Sequence, residues 1–294
     1  MARVSKRKSV EIEPSHASRR ASNQSPTSPD AERAVRQRLT AGRALRDLDD
    51  AASFLEEMGL LLQAPHPYLP SLFGAAQGKP YKPGAAGFGQ WPAHAWFWAS
   101  ELAERDDVLI TKVLLGQRTL VHRRLWKALD AAVRDLTPST PDAQAILTAL
   151  QKRKSARTDE LAGLAGFEGK IGKKRYDKAM GQLQWSGTVI CKPALVDKHK
   201  HVAIAELWKS IFPDPLTTTR GPGEFIKAMI EAAGQAPERE LLKWCNWSRT
   251  VVQAALSELI SAHEVHLSEG LLSTGGKPSA LTSSEIAGRG KRRK

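Results

Sequence analysis

A chain of 294 residues is long enough for two or three small cores of roughly 60–100 residues each. It carries 44 Lys and Arg against 31 Asp and Glu, a formal net charge of +13. Such an excess favours a polyanionic partner, because Lys and Arg neutralise phosphates and release condensed counterions. The two cysteines, Cys191 and Cys245, exclude a disulfide framework and a cysteine-rich zinc site, and both sit beside apolar residues as buried thiols do.

No apolar run approaches the roughly 18 residues that a membrane span needs. The basic N-terminus lacks the apolar stretch of a secretory signal, and Glu11, Glu13 and Asp30 count against an organellar transit peptide. A cytoplasmic location is expected.

Residues 1–30 are rich in Ser, Pro and Arg, with almost nothing apolar to bury, and read as a disordered basic tail. A second basic tail closes the chain at 284–294. Both hold part of the charge excess. Residues 31–136 read as a mostly helical N-terminal domain. Within it Ala34, Val35, Leu39, Ala44, Leu45 and Leu48 recur at helical spacing, with arginines between them, so a basic amphipathic helix is expected within 30–50. Phe54, Leu55, Met58 and Leu61 make a helix face broken after Gly59. A glycine and proline loop with Lys79, Tyr81 and Lys82 spans 77–90; helices are predicted over 96–103 and 121–133, with a short apolar strand over 108–115.

Pro138 and Pro141, set among hydroxyl residues, mark a domain boundary. A first module follows at 142–212. It has a helix over 143–150, a second opened by Thr158, Asp159 and Glu160, and a third over 173–185 with Tyr176, Ala179, Met180 and Leu183 on its buried face. Gly187 is placed to end that helix in a left-handed cap. Two strands, 188–191 and 201–204, flank the polar loop 193–200. The order recurs in a second module at 221–283. Its helices cover 225–233, 237–244 and a segment capped by Ser248; a strand follows at 265–267, and a glycine-bearing loop leads towards Ala280 and Leu281. The expected fold is mainly α with small β wings: tandem winged-helix (helix-turn-helix) modules plus a helical N-terminal domain.

In a helix-turn-helix unit the third helix enters the major groove. Lys174, Lys178 and Gln182 fall at i, i+4 and i+8, with Lys170 and Lys173 at the helix start. The wing offers Lys192, Lys198, His199, Lys200 and His201. Lysines there would supply sequence-independent affinity for double-stranded DNA, and Gln182 could pair with an adenine edge. The second module is poorer: Arg249 and Gln253 are expected to be exposed, but Glu258, Glu264 and Glu269 lie nearby. Trp244 and Trp247 read as core.

Three groups of segments carry a family resemblance: FLEEMGL at 54–60 with LPSLF at 69–73, WASEL at 98–102 running into KVLLG at 112–116, and RYDKAMGQLQ at 175–184 with Phe212 and Pro213. Over residues 49–267 the chain resembles the winged-helix proteins related to the AlkZ and YcaQ DNA glycosylases, which repair interstrand crosslinks and bulky alkylated bases. The resemblance implies tandem winged helices and a DNA substrate or partner. Glycosylases of that group hold a water at the sugar carbon with a Gln-x-Gln pair early in the chain. The triplet present here, Gln182, Leu183 and Gln184, lies past the middle, on a predicted helix, where i and i+2 do not share a face as they would on a strand. Catalysis by Gln182 and Gln184 is therefore the lesser expectation beside DNA binding in repair or maintenance. A transcriptional regulator and a protein-binding scaffold are the alternatives. No cofactor or metal is expected: the pairs His199/His201 and His263/His266 lack a third ligand nearby, and GAAGFG at 84–89 lacks the Gly-Lys-Ser/Thr ending of a phosphate-binding loop.

Overall fold

The computed structural model describes residues 29–80, 82, 92–196, 200–218 and 221–275. Residues 1–28 of the N-terminal tail, the C-terminal tail, residues 83–91 and the segment that leads towards Ala280 and Leu281 lie outside these residues. The described chain is mainly helical with short antiparallel sheets, and one pattern occurs three times.

Unit one opens with α1 (Pro29–Arg36), α2 (Leu48–Met58), β1 (Leu60–Leu62), α3 (Leu72–Gln77) and α4 (Ala93–Ala103). The hairpin β2 (Val108–Leu114) and β3 (Gln117–His122) follows, then α5 (Trp126–Val133). Unit two is α6 (Pro141–Arg153), β4 (Ser155–Arg157), α7 (Thr158–Leu164), α8 (Gly169–Trp185), β5 (Val189–Val196), β6 (Lys200–Leu207) and the short α9 (Trp208–Ile211). Unit three is α10 (Pro222–Ala233), β7 (Gln235–Pro237), α11 (Glu238–Trp244), α12 (Arg249–Ser261), β8 (His266–Ser268) and β9 (Leu271–Ser273).

The three sheets have the orders β1-β3-β2, β4-β6-β5 and β7-β9-β8. Each unit runs helix, strand, helix, helix, hairpin, with the last strand between the first two. Two copies are expected from the sequence; the third is the N-terminal region itself. The segment expected to be helical from 121 begins instead in β3, where Leu120 and Val121 pair with β1 on one side and β2 on the other. The helix expected within 30–50 stops at Arg36, because Arg38 takes a positive φ of 58°. The local caps follow the sequence. Asp47 and Ser248 accept the Asp50 and Val251 amides at the starts of α2 and α12, and Gly187, at φ 80°, turns the chain out of α8.

The cores divide unequally. One cluster joins unit one to unit three: Leu60, Leu109, Val121 and Leu129 pack in the same core as Phe225, Met229 and Trp244. Helix α10 lies between α5 and α12, and its Phe225, Ile226, Met229 and Ile230 are solvent-free. Each such side chain stabilises the fold by about 1.5–3 kcal/mol. Unit two keeps a core of its own, built from Ile146, Leu150, Leu161, Tyr176, Met180 and Leu183. A polar node fastens it. The buried Asp130 carboxylate accepts from Arg134 Nε at 2.9 and 3.0 Å, from Trp208 Nε1 at 2.5 Å and from the Leu216 amide at 2.8 Å. The Arg134 guanidinium also donates to the Phe212 and Asp214 carbonyls. Thus α5 of unit one grips the segment that leaves unit two.

Candidate nucleic-acid interface and the adjoining cleft

Three helices occupy the third-helix position: α4, α8 and α12. Their surfaces differ. Helix α4 carries no Lys or Arg and presents His94, Phe97 and Glu101 to solvent, with Phe97 57% exposed. Helix α12 has a single cation, Arg249, at its first residue. Helix α8 holds Lys170, Lys173, Lys174, Arg175 and Lys178, all exposed.

A helix advances about 100° per residue, which sorts α8 into three faces. Gly172, Tyr176, Ala179, Met180 and Leu183 face the core of unit two. Lys174, Lys178 and the half-buried Gln182 lie about 80° apart in all, on an outward ridge; Arg175, on its far edge, is tied to Asp142. Lys173, Asp177, Gly181 and Gln184 fall on a third face, beside Tyr176 and Met180, and line a cleft against unit one. Gln182 and Gln184 are thus about 160° apart around the helix axis. Gln184 is buried, and its Nε2 donates to Met180 O at 3.4 Å.

The hairpin carries less of the expected charge in view. Lys192 is half-buried and pairs with Glu206 at 3.6 Å. Lys198 and His199 lie outside the described residues, as do the side chains of Lys200, which opens β6, and His201. His263 is exposed and His266 half-buried; among the described residues no group of three metal-ligating side chains gathers. Trp244 and Trp247 are buried.

The cleft has a volume of about 770 Å³ and sits between β2 and β3 of unit one and α7, α8 and β5 of unit two. The sequence did not disclose it, because its two walls, at 110–118 and 158–203, are far apart in the chain. Ile110, Met180 and Val189 supply apolar wall; Lys112, Arg118 and Lys173 supply positive charge. The register of β2 against β3 slips between Thr111 and Leu114, leaving one extra residue on β2 where Lys112 stands. Such bulges re-aim side chains. Burial holds the Lys112 ammonium below the ordinary lysine range, the Arg118 charge adds to the effect, and the Cys191 sulfur opposes it. Burial pushes the Cys191 thiol up to about 11, against the pull of Lys112 and Arg118, so it is protonated at neutral pH and is no nucleophile. The Tyr176 phenol, also raised by burial, donates to Thr158 O at 2.9 Å.

The model of the AlkZ-related family matches residues 45–202, more than half of the chain. The chain belongs to the AlkZ-related family. The matched span holds units one and two almost entirely, and with them α8, the cleft and most of the hairpin. Among solved structures the fold is similar to the Streptomyces sahachiroi DNA glycosylase AlkZ, at 14% identity and a TM-score of 0.46, over 87% of this chain and 72% of that one. No curated protein matches. No helix among the described residues is long and apolar enough to cross a membrane.

Proposed function

We propose that this AlkZ-related protein binds double-stranded DNA and acts in DNA repair or maintenance, with α8 as the helix that meets the duplex. The observation that carries this reading is the contrast among three equivalent helices: α8 has a ridge of exposed lysines, and α4 and α12 do not. Lys170, Lys174 and Lys178 neutralise phosphates, and Gln182, on the same ridge, reaches a base edge. The β5–β6 hairpin, with Lys192, Lys198 and Lys200, follows the backbone as a wing. Membership of the AlkZ-related family supports a repair role.

Arg249 is assigned no more than a peripheral phosphate contact, because it stands alone on α12. Catalysis by Gln182 and Gln184 as a pair is not part of the reading: one amide belongs to the ridge and the other to the cleft. The test is fluorescence anisotropy with a labelled duplex across a salt series. Each phosphate contact contributes about 0.9 to the slope of log K against log salt. Lys174→Ala/Lys178→Ala should weaken binding and lower that slope by about 2. An unchanged slope in the folded double variant would remove α8 from the interface.

A further inference from the structure

The ridge leaves the cleft unexplained. The Lys112 ammonium is half-buried on the bulged strand β2, and its polar neighbours are the Arg118 guanidinium and the neutral Cys191 thiol. The carboxylates that share the cleft, Asp159 and Asp177, are not among the groups that shift its pKa. Two cations side by side in one cleft cost the fold energy, since burial penalises an ammonium and a like charge adds to that penalty. An anion seated between them reverses both effects.

The surroundings narrow the anion. Arg118 lies over the Trp96 ring at 5.8 Å, a flat cationic platform, and a smaller cavity of about 280 Å³ continues past it towards Trp96 and Ser100. Of the two carboxylates on the cleft wall, Asp159 is held by Arg157 at 2.7 Å and Asp177 is exposed, so Lys112, Arg118 and Lys173 outnumber the one that is left. The other end is built differently. Ile110, Met180 and Val189 form an apolar wall, and the buried Gln184 side chain stands among them. An amide offers a donor and an acceptor side by side, the pattern that pairs with the edge of a base. The main cavity, about 770 Å³, is far larger than a phosphate needs and lies in the range of nucleotide-sized sites.

We propose that the cleft between units one and two binds a single nucleotide, its phosphate on Lys112 and Arg118 and its base against Met180 and the Gln184 amide. The nucleotide comes either from the free pool or from a DNA strand as an unpaired residue. The second source rests on the DNA-binding reading above; the first does not.

The experiment uses the full chain. Calorimetry with dAMP, dCMP and inorganic phosphate tests the free source. Anisotropy with a duplex carrying one unpaired nucleotide, against the same duplex fully paired, tests the strand source. Lys112→Met should weaken the bound form at least tenfold, the scale of losing one charge-assisted contact. Its melting temperature should hold or rise, because a half-buried ammonium is gone. Lys112→Arg should retain binding. Gln184→Leu should weaken dAMP and dCMP and leave inorganic phosphate unchanged.

Lys112-dependent binding of dAMP or dCMP supports the free source. A Lys112-dependent preference for the unpaired nucleotide supports the strand source. The ridge variant Lys174→Ala/Lys178→Ala should lower affinity for both duplexes and keep their ratio, which separates failure of the ridge from failure of the cleft. The proposal is overturned if Lys112→Met matches wild type with every probe, or if Lys112→Met and Lys112→Arg both unfold the protein near the same lowered temperature.

Discussion

Replacing Arg134 by Met tests whether the polar node holds unit two to the rest of the molecule. The side chain of Asp130 is 2% exposed and that of Arg134 13%, so this ion pair is close to fully desolvated. Removing the guanidinium strips Asp130 of its counter-charge while Trp208 and the Leu216 amide still point at it. It also leaves the Phe212 and Asp214 carbonyls without their donor. Breaking a buried pair from one side costs about 3–5 kcal/mol, because an uncompensated charge stays behind. For a chain of this size about 2 °C of melting temperature goes with each kcal/mol, so the loss should be roughly 6–10 °C.

The double variant Asp130→Leu/Arg134→Met separates the orphaned charge from the lost pair. If the orphaned carboxylate dominates, the double variant should be more stable than Arg134→Met alone. Urea unfolding followed by tryptophan fluorescence is the suitable assay, since Trp208 donates to Asp130 directly and its emission reports the node. A loss below about 1 kcal/mol in Arg134→Met, the scale of an exposed pair, would refute the reasoning. So would a double variant at least as unstable as the single one.

His66 should make the fold acid-sensitive. Its Nδ1 accepts from the Tyr68 and Leu69 amides and its ring stands edge-on to Trp244 of unit three; burial lowers its pKa from 6.5 to about 4, against the pull of Glu240. The unfolded chain therefore takes the proton first, so the stabilisation is whole above pH 6.5 and falls, by about 3 kcal/mol, as pH drops towards 4. Urea curves at pH 7.5, 5.5 and 4.5 should show that fall in wild type and a smaller one in His66→Asn, which keeps an acceptor for the same amides and does not titrate; parallel curves would reject it. Gly187→Ala should cost more than the ~1 kcal/mol of a left-handed cap, about 2–4 kcal/mol, because the new Cβ would stand 2.8 Å from Val133 Cβ across the joint of units one and two. Adding Val133→Ala should recover part of that loss in thermal unfolding, and no recovery would discount the clash. Ser248→Ala removes the acceptor for the Val251 amide and should lower stability by about 1 kcal/mol in the same assay; no change would assign the start of α12 to packing alone.

What was legible in the sequence was local. Helix α8 could be read from the spacing of Tyr176, Ala179, Met180 and Leu183, and its end from Gly187. Unit three followed from Gly234 and Ser248, each at the helix boundary its chemistry favours, while Pro237 precedes the first helical position expected for it and ends β7. The N-terminal copy of the same unit was hidden for two physical reasons. Its β1, Leu60–Leu62, is buried throughout and shows no alternation, and a long glycine and proline connection parts α3 from α4. β3 was masked because Leu120, Val121 and Leu125 continue at spacings that suit a helix as well as a strand. The lysine ridge was legible because i, i+4 spacing on one helix suffices to define it. The cleft was not: Lys112 and Gln184 meet only after two units dock, and the bulge that turns Lys112 inward is set by pairing with β3.

The three units make the point that a shared connectivity does not assign a shared task. Unit one spends its third helix on packing: Ala95, Ala99 and Leu102 of α4 enter a core with Phe54 and Phe73, and Trp96 turns towards Arg118. Unit three buries α10 against α5 and becomes part of the same body as unit one. Unit two keeps a core of its own and turns the two sides of α8 to different surroundings, a lysine ridge to solvent and Gln184 to the cleft. A duplex held on that ridge lies one helix diameter, about 10 Å, from the cleft. If ridge and cleft bind as proposed, they are close enough to act on one strand, and variants of Lys174 and Lys112 should be additive in binding a duplex with an unpaired nucleotide only if each site binds independently of the other.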